Sequence, residues 1–356
     1  MQQEITLFFN KIKQAYDLSS PFVVFRKPNE NLITTYIQNT KDLNYLNSFS
    51  EQGFVFAPFN KNQKKIIFLR EQCNIFSSEI SSEDFNDVFS KTSIINNDVS
   101  LEAEKNHIEL VQKGIDFIKK NNAKKIVLSR KEHINIKELD VLDTYKKMLY
   151  RYQNAFVYVW FHPSIGLWMG ATPERLISVA GTTFKTMALA GTQLNKKDEN
   201  IVWEEKEQQE QQFVTDFIFN NVKQYLNNIQ ISKPYTVEAG NIVHIRSDIS
   251  GDLNTPNLIG KLVNSLHPTP AICGLPKDIA TEFILKNEGY DRAYYSGFLG
   301  EINKGNSTDL FVNLRCMELK NDEAIIYVGG GITKDSNAEN EWKETVSKAE
   351  VMKKVL

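Results

Sequence analysis

Ile5, Phe8, Phe9, Ile12 and Tyr16 recur at intervals of three and four, which predicts an amphipathic helix at the start of the chain. The period then shortens. FVVFRK (22–27), LITTYI (32–37), GFVFAPF (53–59) and KKIIFLR (64–70) are short runs of β-branched and aromatic residues and read as strands. Residues 77–100 are polar and weakly patterned, and are expected to form a long surface connection or mobile loop. Ile108, Val111, Ile115 and Ile118 restore helical spacing up to Asn121-Asn122, KKIVLSRKEHINI (124–136) is the next strand, and a helix over 141–152 follows. Strands crowd residues 155–190. After a glutamate-rich helix come further strand-like runs, a short helix near 277–287, and a final helix. Strands outnumber helices and cluster as meanders instead of alternating with them, so the pattern predicts an α+β protein built on large antiparallel sheets. No Pro/Gly-rich linker divides the chain, and one domain over residues 1–356 is expected.

Composition narrows the function more than the fold. A chain of 356 residues can bury a large core. Its formal net charge of −2 gives no overall attraction to nucleic acid or to an anionic membrane. Cys73, Cys273 and Cys316 are too few and too scattered for a disulfide framework or a thiolate metal site, which fits a reducing compartment. The first residues lack a basic stretch followed by an apolar one, and no apolar run nears the roughly 18–20 residues that span a bilayer. A soluble, cytoplasmic protein is expected.

The candidate chemistry lies in two carboxylate pairs. Glu207 and Glu210, and again Glu341 and Glu344, are spaced i,i+3 on predicted helices, so each pair projects from one helix face. Lys348 continues the second row. Two such helices can enclose one hard divalent cation, which takes oxygen ligands and keeps positions open for substrate. The spacing alone favours the plainer reading of two solvated acidic faces. A GGG run (329–331) directly precedes the second of these helices, and it either forms a tight turn or lets backbone approach a ligand.

KIVLSR (125–130), GATPERL (170–176), ALAGT (188–192), KEQQE (206–210), LHPTPAICGLPK (266–277), YYSGFLG (294–300), YVGGGI (327–332) and EWKETVSKA (341–349) follow one another along the chain. Together they resemble the chorismate-utilising enzymes, a family that includes isochorismate, salicylate, anthranilate and aminodeoxychorismate synthases. The resemblance covers roughly residues 100–356, with residues 1–99 expected to complete the same domain. It implies two large stacked, mainly antiparallel sheets flanked by helices, with chorismate and Mg²⁺ held between them. It further implies that Glu207, Glu210, Glu341 and Glu344 form the metal site, and that Arg315 and Tyr295 hold the pyruvyl carboxylate with help from the backbone at Gly329 and Gly331. Lys348, His244 and Ala271 would line the site, while His162 and His267 would be structural.

Family members open with attack of a nucleophile at C2 of chorismate as the C4 hydroxyl leaves, which calls for a base on the nucleophile and an acid on the leaving group. By resemblance Lys125 is the base, with Lys124 on the opposite strand face, and Glu174 is the acid, unless Glu174 pairs with neighbouring Arg175. Lys125, the Pro270-Ala271-Ile272 segment and the absence of a glutamine amidotransferase domain in the chain favour water over ammonia. The resemblance therefore implies an isochorismate synthase, an isomerase serving menaquinone or catechol siderophore synthesis. Chorismate is its small-molecule substrate, Mg²⁺ its cofactor, and a monomer its expected state. A salicylate synthase, or a non-catalytic chorismate-binding protein, are the alternatives. Gln193 and Gln211 stand where relatives often carry arginine and histidine, and both replacements are expected to remove positive charge near the site.

Overall fold

A computed structural model describes residues 2–85, 100–121, 123–136, 139–194, 201–239 and 242–356. Its described strands form two nine-stranded sheets, and every pairing between them is antiparallel. The first runs in the order Gly274–Leu275, Lys125–Asn135, Glu323–Ile332, Cys316–Lys320, Gly166–Thr172, Phe156–His162, Phe22–Arg26, Leu32–Gln38, Cys73–Glu79. The second runs Leu226–Ile231, Ile242–Leu253, Thr183–Leu194, Arg175–Ala180, Ser307–Val312, Phe298–Lys304, Gly53–Ala57, Ile66–Leu69, with Tyr235–Ala239 also paired to Ile242–Leu253.

The central strands are apolar on both faces because each face meets a different core. In Phe156–His162, Val157 and Val159 pack with Ile5, Phe8 and Met148 of the helices Gln2–Asp17 and Val141–Arg151. Phe156, Tyr158 and Trp160 point the other way, into the space between the sheets. The second sheet mirrors this. Phe54 and Phe56 face the interlayer, whereas Val55 and Ala57 join Val214 and Ile218 of the helix Glu205–Val222. The period-two alternation of a strand thus sends aromatics inward and aliphatics out under the helices. Phe156 stacks on Phe311 at 4.4 Å and Phe56 on Trp160 at 4.6 Å, each pair joining one sheet to the other.

The expected α+β architecture of two stacked antiparallel sheets is present. One boundary differs. The polar stretch expected to be loop from residue 77 begins as the edge strand Cys73–Glu79, half exposed along its length, followed by a short 3₁₀ turn at Ser82–Phe85. An edge strand needs only one buried side, so its sequence lacks the apolar run that marks the central strands. Residues 86–99, the rest of that predicted connection, lie outside the described residues. Among the described residues no helix is long and apolar enough to cross a membrane.

Trp160 is fully buried between the rings of Phe56 and Phe68. Trp160→Ala is expected to cost about 3–5 kcal/mol of unfolding free energy, measured by chemical denaturation. A loss below about 1 kcal/mol would mean that the interlayer closes over the gap.

Candidate active site

One cleft gathers the residues to which the sequence assigned a catalytic, metal or substrate role: Lys125, Glu174, Glu207, Glu210, His244, Ala271, Tyr295, Arg315, Gly329, Gly331, Glu341, Glu344 and Lys348 all line it. It opens where strands Lys125–Asn135 and Glu323–Ile332 of one sheet approach Thr183–Leu194 and Ile242–Leu253 of the other, beneath helices Glu205–Val222 and Ala338–Lys353. Gly331 pairs with Val127, and Gly329 with Ser129. The glycines are there for space: a Cβ on Gly331 would stand 2.6 Å from Lys125 Cε and 3.1 Å from Glu210 Oε1.

Strand alternation separates the two lysines. Lys124 is exposed, its ammonium 4.8 Å from the Phe213 ring, whereas Lys125 is 3% exposed inside the cleft. Lys125 Nζ lies 2.5 Å from Glu210 Oε1, and Lys348 Nζ lies 2.6 Å from Glu344 Oε1. Lys348 also donates to the Gly329 carbonyl at 3.1 Å. The i,i+4 pair of Lys348 and the cleft position therefore coexist.

Glu174 is placed differently. Arg175 turns to Asp309 at 2.8 Å, which removes the alternative of a Glu174–Arg175 pair. Burial pushes the Glu174 carboxyl up to about 7, against the opposing pull of Lys125 and Arg315. Arg315, its backbone at φ +47°, is lowered to about 10 by burial and stays cationic at neutral pH. Its Nη2 lies 3.3 Å from His244 Nε2. A guanidinium only donates, so Nε2 accepts, and the proton sits on Nδ1, 3.0 Å from the Gly191 carbonyl. Burial, then Arg315 and Lys348, push His244 down to about 3, so it is a neutral support for Arg315.

Several lining residues fall in the ALAGT and YVGGGI runs but were given no role from the sequence. Gly191 and Thr192 sit at a β-bulge that breaks the register between Ala190 and Thr192, with Gly191 at φ +73° and its missing Cβ 3.1 Å from that of Glu207. The hydroxyl of Thr192 lies 3.2 Å from His244 Nδ1. Tyr327 lines the cleft and stacks on Tyr295 at 5.6 Å. Gln193 and Gln211 do not line it. Buried Gln211 instead donates to Thr215 and Ser247, each at 2.9 Å, pinning its helix to the sheet. His162 and His267 lie outside the cleft, packed against Trp160 and Phe298.

The donor chemistry of the cleft fits a hard divalent cation. Glu207 Oε2 is buried without a hydrogen-bond partner, an arrangement that a cation would relieve. In the present arrangement Glu210 and Glu344 face ammonium groups, and among the described residues no three His, Cys, Asp or Glu side chains converge as a finished ligand set.

The match to known proteins agrees with this geometry. Residues 51–356 fit the family model described as chorismate binding enzyme. The chain belongs to the chorismate binding enzyme family. The match starts well before residue 100, so much of the segment without recognisable motifs falls inside it. Among curated relatives, isochorismate synthase DhbC of Bacillus subtilis (strain 168) is 28% identical over 265 residues, covering 69% of this chain and 66% of that protein. Isochorismate synthase EntC of Escherichia coli (strain K12) is 28% identical over 200 residues, covering 54% and 51%. The matches thus span about half to two thirds of these relatives. The fold is shared with a crystal structure described as a putative 2,3-dihydroxybenzoate-specific isochorismate synthase, DhbC from Bacillus anthracis, at TM-score 0.82 and 22% identity over 95% of this chain and 96% of that one. It is also shared with MenF, the menaquinone-specific isochorismate synthase of Escherichia coli, at TM-score 0.79 and 19% identity over 94% and 88%.

Folded Glu174 keeps its proton to about pH 7, whereas an unfolded glutamate loses it near 4.5. Its contribution to stability is therefore fully present below about 4.5 and lost as pH rises towards 7. Infrared difference spectra should show a carboxylic acid band at pH 6 that disappears with a midpoint near 7 and is missing in Glu174→Gln. A midpoint below pH 5 would show that water reaches the carboxyl.

Proposed function

We propose that the protein is an isochorismate synthase, a Mg²⁺-dependent isomerase that converts chorismate to isochorismate. The observation that carries this reading is a buried carboxyl, Glu174, raised by desolvation to about 7, in the same cleft as a buried lysine, Lys125. An acid and a base are the two groups that the exchange of one ring hydroxyl for a water requires. Lys125, in its neutral form, takes a proton from the water that attacks C2. That form requires Glu210 to turn away from the ammonium it now holds. The ring double bonds shift, the C4–O bond breaks, and Glu174 supplies the proton with which the hydroxyl departs as water.

The cationic Arg315, held by neutral His244, and the Tyr295 hydroxyl receive the pyruvyl carboxylate, a planar group suited to a guanidinium. The backbone at Gly329 and Gly331, Ala271 and Lys348 complete the walls. Glu207, Glu210, Glu341 and Glu344 would hold Mg²⁺, which when bound neutralises and orients the ring carboxylate. The lysine base favours water over ammonia, so no glutamine amidotransferase partner is needed. We infer a single domain over residues 1–356, acting as a cytoplasmic monomer that supplies menaquinone or a catechol siderophore.

Incubation of the purified protein with chorismate, with Mg²⁺ or with chelator, should give isochorismate only with the metal, approaching a mixture of the two isomers. Folded Lys125→Ala and Glu174→Gln should each lower kcat by roughly 10²–10⁴-fold, and activity should fall as pH rises above about 7, where Glu174 loses its proton. Salicylate with pyruvate as product would assign a lyase instead. Chorismate left unchanged by folded, metal-loaded protein would overturn the reading.

A further inference from the structure

Behind the cleft, outside its lining, lies a buried ion pair that touches three of its walls. Arg292 is 2% exposed, and its partner Glu288 has a side chain 1% exposed. The guanidinium donates to Glu288 Oε2 at 2.7 Å, to the Ile272 carbonyl at 2.9 Å and to the Val127 carbonyl at 2.7 Å. Its face lies over the Phe59 ring at 4.5 Å and 5.9 Å from the centre of the Tyr295 ring. The Arg292 carbonyl accepts from the Tyr295 N–H at 2.9 Å. Glu288 in turn accepts from the backbone and hydroxyl of Ser129, at 2.8 and 3.0 Å, and the Tyr290 hydroxyl lies 2.6 Å from Ser129 Oγ.

Val127, Ile272 and Tyr295 all line the cleft and come from separate segments of the chain. Val127 is two residues from Lys125 on the same strand face, Ile272 follows Ala271, and Tyr295 is the phenol assigned to the substrate carboxylate. Desolvating a full ion pair costs more than an apolar pair of like volume and adds little net stability. A planar fork, however, fixes several acceptors at set distances at once, which neither an apolar side chain nor the compact ammonium of lysine does. We propose that Arg292, held by Glu288, is a positioning residue that sets the spacing between the Lys125 strand, the Ala271–Ile272 wall and Tyr295. Its catalytic consequence rests on the reading of the cleft as a chorismate site.

The test compares Arg292→Lys and the milder Ser129→Ala with the parent in full-length protein, by amide hydrogen exchange and by chorismate turnover well below each melting temperature. Arg292→Lys should speed exchange roughly tenfold or more in segments 125–130, 271–275 and 294–297, while the distant strand Phe156–His162 is unchanged. It should lower kcat roughly 10- to 100-fold, more than it raises KM, because base and binding groups shift relative to each other. Ser129→Ala should move both readouts the same way by less, and it carries the test if Arg292→Lys does not fold. Unchanged or uniformly faster exchange, with kcat and KM within twofold of the parent, would overturn the proposal and leave the pair a prop for stability alone. If the parent does not turn over chorismate, the functional reading falls while the exchange experiment still decides whether the clamp exists.

Discussion

The ring layer between the two sheets is the constraint on which the rest depends. Sheets that face each other at packing distance need side chains long enough to meet in the middle, and aromatics fill that gap with few rotatable bonds to freeze. The layer runs on to the cleft without interruption. Trp168 stacks on Tyr327 at 5.1 Å, Tyr327 stacks on Tyr295, and the last two rings form part of the cleft wall. The cleft is therefore the place where the layer ends, and its walls inherit the rigidity of the core.

Against that dry wall the charged groups sort themselves by partner. Glu210 and Glu344 each sit against an ammonium, whereas Glu174 makes no such close pair, and burial raises its carboxyl despite the pull of Lys125 and Arg315. Carboxyls of one residue type thus meet opposite surroundings within one cavity, paired to an ammonium in two places and desolvated in a third. Arg315 and His244 follow the same logic. Because the guanidinium can only donate, its neighbour is fixed as an acceptor, and burial keeps the imidazole neutral.

Much of the site was legible in the sequence because its residues carry short-range signatures. The glutamate pairs announce a helix face by spacing, the glycine run marks close approach, and Lys124 and Lys125 fall on opposite faces by simple alternation. What was not legible depends on contacts between distant segments. Glu288 and Arg292 read locally as an ordinary surface i,i+4 pair, and only the fold buries them. The bulge at Gly191 arises from pairing with the strand Ile242–Leu253, not from a local pattern. Cys73–Glu79 escaped notice because an edge strand that buries one side needs no apolar run. Gln211, expected to bear on the charge of the site, is spent on anchoring its helix.

The neighbouring lysines carry one more implication. Lys124 and Lys125 are chemically the same amine, and only the phase of the pleat decides which of them enters the cavity. Loss or gain of a single residue between the helix Leu101–Lys120 and this strand would have two ways to be absorbed. Either the intervening turn changes length and the strand stays in phase, or the strand slips and the wrong amine is presented with every apolar side chain inverted. The second outcome is ruled out by the core before chemistry is ever at stake. Packing thus fixes which amine faces the cleft, and a change of length here is tolerated by the core only in the turn.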